Sequence, residues 1–201
     1  MSHSFMKQFT GAAAAATAGL LLFAAPAQAA PSAEADVVEP TKARASAAEI
    51  AANNAEVWAS LPPNVTMTVI GKMPELRGPI DHYTQDGPTI TTGLTTLAVA
   101  TLPYSYTFDG VRNLDGREFR STRTKICKDI EVTWDYPVGS HHKFKVTLRG
   151  SSVTVPTDGE ARSYCWSGVP TNTTMQFNYA STNNTSGDFA FASGSGQVRY
   201  P

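Results

Sequence analysis

After residue 63 the chain repeats one pattern: apolar, polar, apolar. Val65, Met67 and Val69 alternate with Thr66 and Thr68. Tyr104, Tyr106 and Phe108 alternate with Ser105 and Thr107. Ile130, Val132, Trp134 and Tyr136 alternate with Glu131, Thr133 and Asp135. Phe144, Val146 and Leu148 flank Lys145 and Thr147, and Met175, Phe177 and Tyr179 flank Gln176 and Asn178. Shorter versions occur at Val153 and Val155, at Phe189 and Phe191, and at Val198 and Tyr200. A period of two sends successive side chains to opposite faces, so each segment reads as a strand with one face in a core and one in water. Turn signals divide the strands at Asp109-Gly110, Asp115-Gly116, Pro137 to Gly139, Arg149-Gly150, Asp158-Gly159 and Ser186-Gly187. The expected fold of residues 64–201 is all-β, an antiparallel β-sandwich, with a β-barrel as the alternative. No fixed-length repeat recurs, which argues against a propeller or β-helix.

Two cysteines, Cys127 and Cys165, lie in this region. Neither has a Cys-x-x-Cys spacing or a neighbouring His, so the pair reads as a disulfide. Closing a loop of this size is worth about 3–4 kcal/mol. In a sandwich such a bond would tie the two sheets together. That expectation conflicts with the alternation: Ile126, Ile130, Val132 and Trp134 share a parity that Cys127 lacks. An inward Cys127 therefore calls for a bulge near Cys127-Lys128-Asp129, because one extra residue exchanges the faces.

The N-terminal part reads differently. A start carrying only Lys7 leads to an uncharged Ala- and Leu-rich run from Gly11 to Ala25, then to Ala27-Gln28-Ala29. This is the order of a secretory signal peptide over residues 1–29, with the mature chain expected to begin at Ala30. The run is shorter than the ~20 apolar residues that span a bilayer. With no Cys after the cleavage site and no apolar tail, a secreted, extracellular protein is expected. Residues 30–45 read as a flexible lead-in. Residues 46–61 read as a short amphipathic helix: Ser46 and Glu49 form a capping box, Ile50, Val57 and Leu61 share a stripe, and Pro62-Pro63 ends it. So narrow a stripe is marginal alone and is expected to dock on the β-domain.

The formal net charge is −1, and losing the leader with its lysine makes the chain slightly more negative. That balance disfavours a dedicated nucleic-acid binder, which works by neutralising phosphates. No catalytic residue set emerges. His141 and His142 are adjacent, and Asp81-His82 is a pair in sequence only. Gly194-Ser195-Gly196 lacks the full nucleophile-elbow spacing and reads as a turn. No cofactor or metal is implied. Basic residues do concentrate: Arg117, Arg120, Arg123, Lys125 and Lys128 in one stretch, Lys143, Lys145 and Arg149 in the next. If these strands pair, they form a basic surface suited to an anionic cell-wall polymer or an extracellular protein. Tyr164-Cys165-Trp166 opens a second candidate, a disulfide-supported loop running to Pro170, against the simpler account that Trp166 packs in the core. The candidate binding residues are thus Arg117, Arg120, Arg123, Lys125, Lys143, Lys145, Tyr164 and Trp166. The functional expectation is a secreted binding or inhibitory module without enzymatic activity. The alternatives are a small secreted hydrolase and a structural envelope component.

Overall fold

A computed structural model describes residues 44–77, 80–84, 87–90, 99–134, 143–181 and 191–201. The expected signal peptide, most of the expected lead-in, Asp135 and Tyr136, the His141-His142 pair, the turns at Pro137 and Ser186, and Phe189 lie outside the described residues. Helix α1 (Ala47–Ser60) is followed by strands β1 (Val65–Gly71), β2 (Ile80–Thr84), β3 (Gly87–Ile90), β4 (Tyr104–Val111), β5 (Asn113–Asp115) and β6 (Phe119–Arg120). Then come β7 (Lys125–Trp134), β8 (Lys143–Leu148), β9 (Ser151–Pro156), β10 (Ala161–Ser167), β11 (Thr174–Met175), β12 (Phe177–Ser181) and β13 (Ala192–Arg199).

The strands form a seven-stranded sheet, β1-β10-β7-β13-β4-β2-β3, a four-stranded sheet, β5-β12-β8-β9, and a two-stranded ribbon, β11-β6. The first two share one core, giving a sandwich-like arrangement whose sheets keep open edges rather than closing into a barrel. Aromatic rings meet across it: Phe108 on β4 faces Phe144 on β8 at 5.5 Å between centroids, and Trp166 on β10 meets Phe177 on β12 at 5.2 Å. The large sheet is not wholly antiparallel, because β2 pairs β3 antiparallel and β4 parallel. Among the described residues no helix is long and apolar enough to cross a membrane.

The disulfide forms between Cys127 and Cys165, but it does not tie the two sheets. The two residues are direct partners on neighbouring strands β7 and β10 of one sheet. The bulge is absent as well: β7 stays in register through Cys127-Lys128-Asp129 against both β10 and β13. The alternation wins. Ile126, Ile130 and Val132 enter the core, Cys127 takes the opposite face, and Lys128, which has core parity, is carried inward and fully buried. Its ammonium donates to the Tyr179 hydroxyl and lies 3.7 Å from the centroid of the Tyr106 ring. Burial pushes its pKa well down from the ordinary lysine value.

Gly194 and Gly196 lie within β13 rather than in a turn. At Gly196 a Cβ would collide with the Tyr106 hydroxyl and the Asp129 carbonyl, so the bare backbone makes room for Tyr106 to bond to Asp129 O at 3.2 Å.

Helix α1 carries the expected cap. The Ser46 amide donates to Glu49 Oε2 at 2.9 Å and Glu49 N donates back to Ser46 Oγ. It docks on β9, with Val57 buried and Leu61 packed against the core. A polar anchor joins this apolar contact. Arg162 on β10, fully buried, donates to Asn54 Oδ1 at 2.7 Å and to both Asp158 oxygens at 2.8 and 2.7 Å. Asn53 donates to Asp158 as well, at 2.8 Å. Burial alone would raise the Asp158 carboxyl, but Arg162 and Asn53 outweigh it and hold the group below the usual carboxylate range.

Candidate functional site

The two basic stretches do not pair. β7 lies between β10 and β13, and β8 lies between β9 and β12 in the other sheet. The sequence-predicted residues accordingly separate. Arg117 is drawn inward, its guanidinium 3.0 Å from the buried Asp81 carboxylate and its N–H on the Tyr83 hydroxyl. Lys143 bonds Glu56 of the helix. Lys145 is exposed on the outer side of the four-stranded sheet. Tyr164 and Trp166 are 0% and 1% exposed and sit among core rings, so neither presents a contact surface.

Arg120, Arg123 and Lys125 stay together, at one end of the sandwich. That end is assembled by hydrogen bonds between chain segments. Lys125 stands opposite Ser167 in the last rung of β7 and β10. Ser167 N donates to Asn64 O at 2.9 Å, bringing in the helix-to-β1 turn. Ser151 Oγ donates to Asn64 Oδ1 at 3.0 Å, which places the Arg149-Gly150 turn alongside. Val169 N donates to Thr124 O at 2.9 Å and Asn172 N donates to Ser121 O at 2.7 Å, strapping the loop after β10 to the approach of β7. Arg120 is the ribbon partner of Thr174. The loop needs left-handed backbone at Gly168 (φ 73°) and Asn172 (φ 57°), which a glycine and an asparagine tolerate.

The C-terminal residues complete this end. Thr122 N donates to the Tyr200 hydroxyl at 2.9 Å, with Thr122 Oγ1 at 3.0 Å, and the Arg123 guanidinium lies over the Tyr200 ring at 4.8 Å. Burial would raise the Tyr200 phenol, but the Thr122 amide and hydroxyl, the Ser121 hydroxyl and Arg123 bring it below its ordinary value.

Segments 61–64, 120–125, 149–150, 167–174 and 198–201 contain no Asp or Glu. The nearest acid along the chain is Glu118, two residues before Arg120. Arg120, Arg123, Lys125 and Arg149 are all exposed, and none has a carboxylate within ion-pair distance among the described residues. Four unneutralised cations at one end of a slightly acidic protein give a one-signed local field. Arg149, Thr122 and Tyr200 belong to this end as well, although they are not among the binding residues expected from the sequence. The signal in the sequence was the shared lack of acids in segments that no local pattern connects.

The other candidates place as follows. His82 bonds Thr107 Oγ1 at 2.7 Å on the outer face of the large sheet, while Asp81 turns inward to Arg117, so the two point apart. Among the described residues no group of three or more His, Cys, Asp or Glu is placed to hold a metal. Comparison of the chain with protein-family models, with curated proteins and with solved structures finds no match in any of the three.

Proposed function

We propose that this protein is an exported binding module, a β-sandwich without enzymatic activity of its own, that engages an anionic partner through the basic end formed by Arg120, Arg123, Lys125 and Arg149. The carrying observation is the segregation of charge: five separate chain segments converge there, none contributes an Asp or Glu, and among the described residues no carboxylate lies within ion-pair distance of the four cations, in a chain whose net charge is −1. Random scatter of charges pairs opposite signs, whereas a surface that meets an anion keeps one sign. The backbone straps add a rigid frame, which lowers the ordering cost of binding. Export rests on the leader-like first 29 residues and is supported by the disulfide, a bond kept in oxidising compartments. An anionic cell-wall polymer is the partner that this location and this charge best fit.

The test is retention on isolated cell walls and on an anionic resin across a salt gradient. Wild type is retained and elutes with salt, because contacts between exposed charges are screened beyond about 8 Å at physiological ionic strength. The variant Arg120→Gln/Arg123→Gln/Lys125→Gln loses retention with an unchanged melting temperature. Equal retention of the triple variant refutes the assignment.

A further inference from the structure

The same end carries a second chemical signature, which resting on that reading narrows the partner to one class. An acidic protein and an anionic glycan both offer negative charge, but they ask different things of the rest of the surface. Protein interfaces take their energy from a central apolar or aromatic anchor surrounded by a polar rim. The exposed large apolar side chains of the described structure are Trp58, Ile80 and Val99, on the helix, on β2 and just before the Ala100 bridge, and none lies in the segments that build this end. The one aliphatic residue inside its long loop, Val169, is turned in and 5% exposed.

What this end exposes between its cations is hydroxyl and amide. Thr124, Thr171, Asn172 and Thr174 are exposed, and none of their side chains has a hydrogen-bond partner among the described residues. They stand on backbone that is already fixed, because Thr124 O and Asn172 N are themselves the strap points. Free hydroxyls and amides on a fixed frame, spaced among guanidinium and ammonium groups, match a ligand that alternates hydroxyls with oxyanions. Arg123 is prepared for this. The Tyr200 ring supports one face of its guanidinium, and among the described residues no carboxylate within ion-pair distance takes up its donors. A flat, wet, repeated set of modest contacts suits a polymer, which gains avidity by offering many equivalent units.

We infer that the ligand of this end is a polyhydroxylated polyanion, oxyanions borne on a sugar or polyol chain, and that its specificity comes from the threonine and asparagine side chains between Arg120, Arg123, Lys125 and Arg149. Uronate carboxylates and polyol phosphodiesters are two sources of this chemistry.

The experiment compares four immobilised probes at matched density and about 0.15 M salt: polygalacturonate, poly(glycerol phosphate), polyglutamate as an anion without hydroxyls, and dextran as a polyol without charge. Wild type binds at least one of the first two about tenfold more tightly than polyglutamate, the worth of one or two net hydrogen bonds, and does not bind dextran. Whichever of the two it prefers names the source. The variant Thr124→Val/Thr171→Val/Thr174→Val keeps every charge, so it binds polyglutamate as wild type does and loses the tenfold preference. Equal binding of polyglutamate and the hydroxylated polyanions shows that the end reads charge alone. That overturns this inference and leaves the anionic-partner reading standing. A preference that survives in the threonine variant also overturns it. Failure to bind any of the three polyanions removes the anionic-partner reading itself.

Discussion

Arg162→Met is the most informative single change in the scaffold. The arginine is 0% exposed and makes two bonds to Asp158, one to Asn54 and one to the Glu160 carbonyl. Methionine keeps much of the aliphatic volume and removes all four bonds. Asp158 is left 6% exposed and charged, with Asn53 and the Glu160 amide as its remaining donors. Removing one partner of a buried pair costs about 3–5 kcal/mol, because the other charge stays desolvated. For a domain of this size that lowers Tm by about 10 °C. In hydrogen exchange the amides of α1 open faster, since Asn54 loses its tie to β10. The pH dependence carries a sign. In wild type the depressed Asp158 pKa gives stability that is present above the unfolded value and is lost as pH falls through the folded one, below about pH 4. In the variant, burial dominates and the carboxyl is raised instead, so its cost is relieved on acidification. The gap between the two proteins is therefore widest near neutrality and narrows in acid. The double variant Asp158→Leu/Arg162→Met recovers more than half of the loss. Urea unfolding at several pH values reads all of this. A single variant within about 1 kcal/mol of wild type, the value of an exposed pair, or a gap undiminished in acid, shows that Arg162 and Asp158 do not form a desolvated pair.

Lys128→Met replaces a buried ammonium with an isosteric apolar chain and keeps or raises stability at neutral pH, by about 1–3 kcal/mol. Because the folded-state pKa of Lys128 is depressed, wild-type stability rises with pH from that value up to about 10.4, and the variant loses that rise; identical pH slopes in urea unfolding speak against it. Gly196→Ala places a Cβ against the Asp129 carbonyl and the Tyr106 hydroxyl, one of them backbone that cannot yield, and costs about 3 kcal/mol or more; an unchanged Tm contradicts the packing described. Cys165→Ala costs about 2–4 kcal/mol by releasing the loop closed over 38 residues, and native protein shows no free thiol by mass spectrometry; two alkylatable thiols in the native chain rule the bond out.

The strand pattern was legible because burial on one face leaves a direct trace in the order of residues. The helix was legible for a similar reason, since its cap and its stripe are both local. What the sequence did not disclose depends on partners far apart in the chain. The alternation around Cys127 already held the answer. Cysteine is so often buried that an inward Cys127 and a bulge looked natural, yet the plain period of two places the disulfide on the far face and Lys128 in the core. Arg162 shares the parity of Tyr164 and Trp166, but the partners that make its burial tolerable, Asn54 and Asp158, lie on other segments and leave no local trace. The basic surface was half legible. Composition located Arg120, Arg123 and Lys125. Pairing of β7 with β8 was the wrong way to assemble them, since the topology sends those strands to different sheets and recruits the Arg149 turn and the Tyr200 tail instead.

The proposed function turns on where an anion binds, and amide chemical shifts map that place residue by residue. Nitrogen-15-labelled mature protein is titrated with oligogalacturonate at low salt while its backbone amide shifts are followed. Binding at the basic end shifts amides at Thr122–Lys125, at Gly150 and at Gly168–Thr174, the shifts fading as salt is added, with α1 and the outer face of β1 unmoved. Shifts centred on Trp58 or on Thr66 and Thr68, with residues 120–125 silent, contradict it.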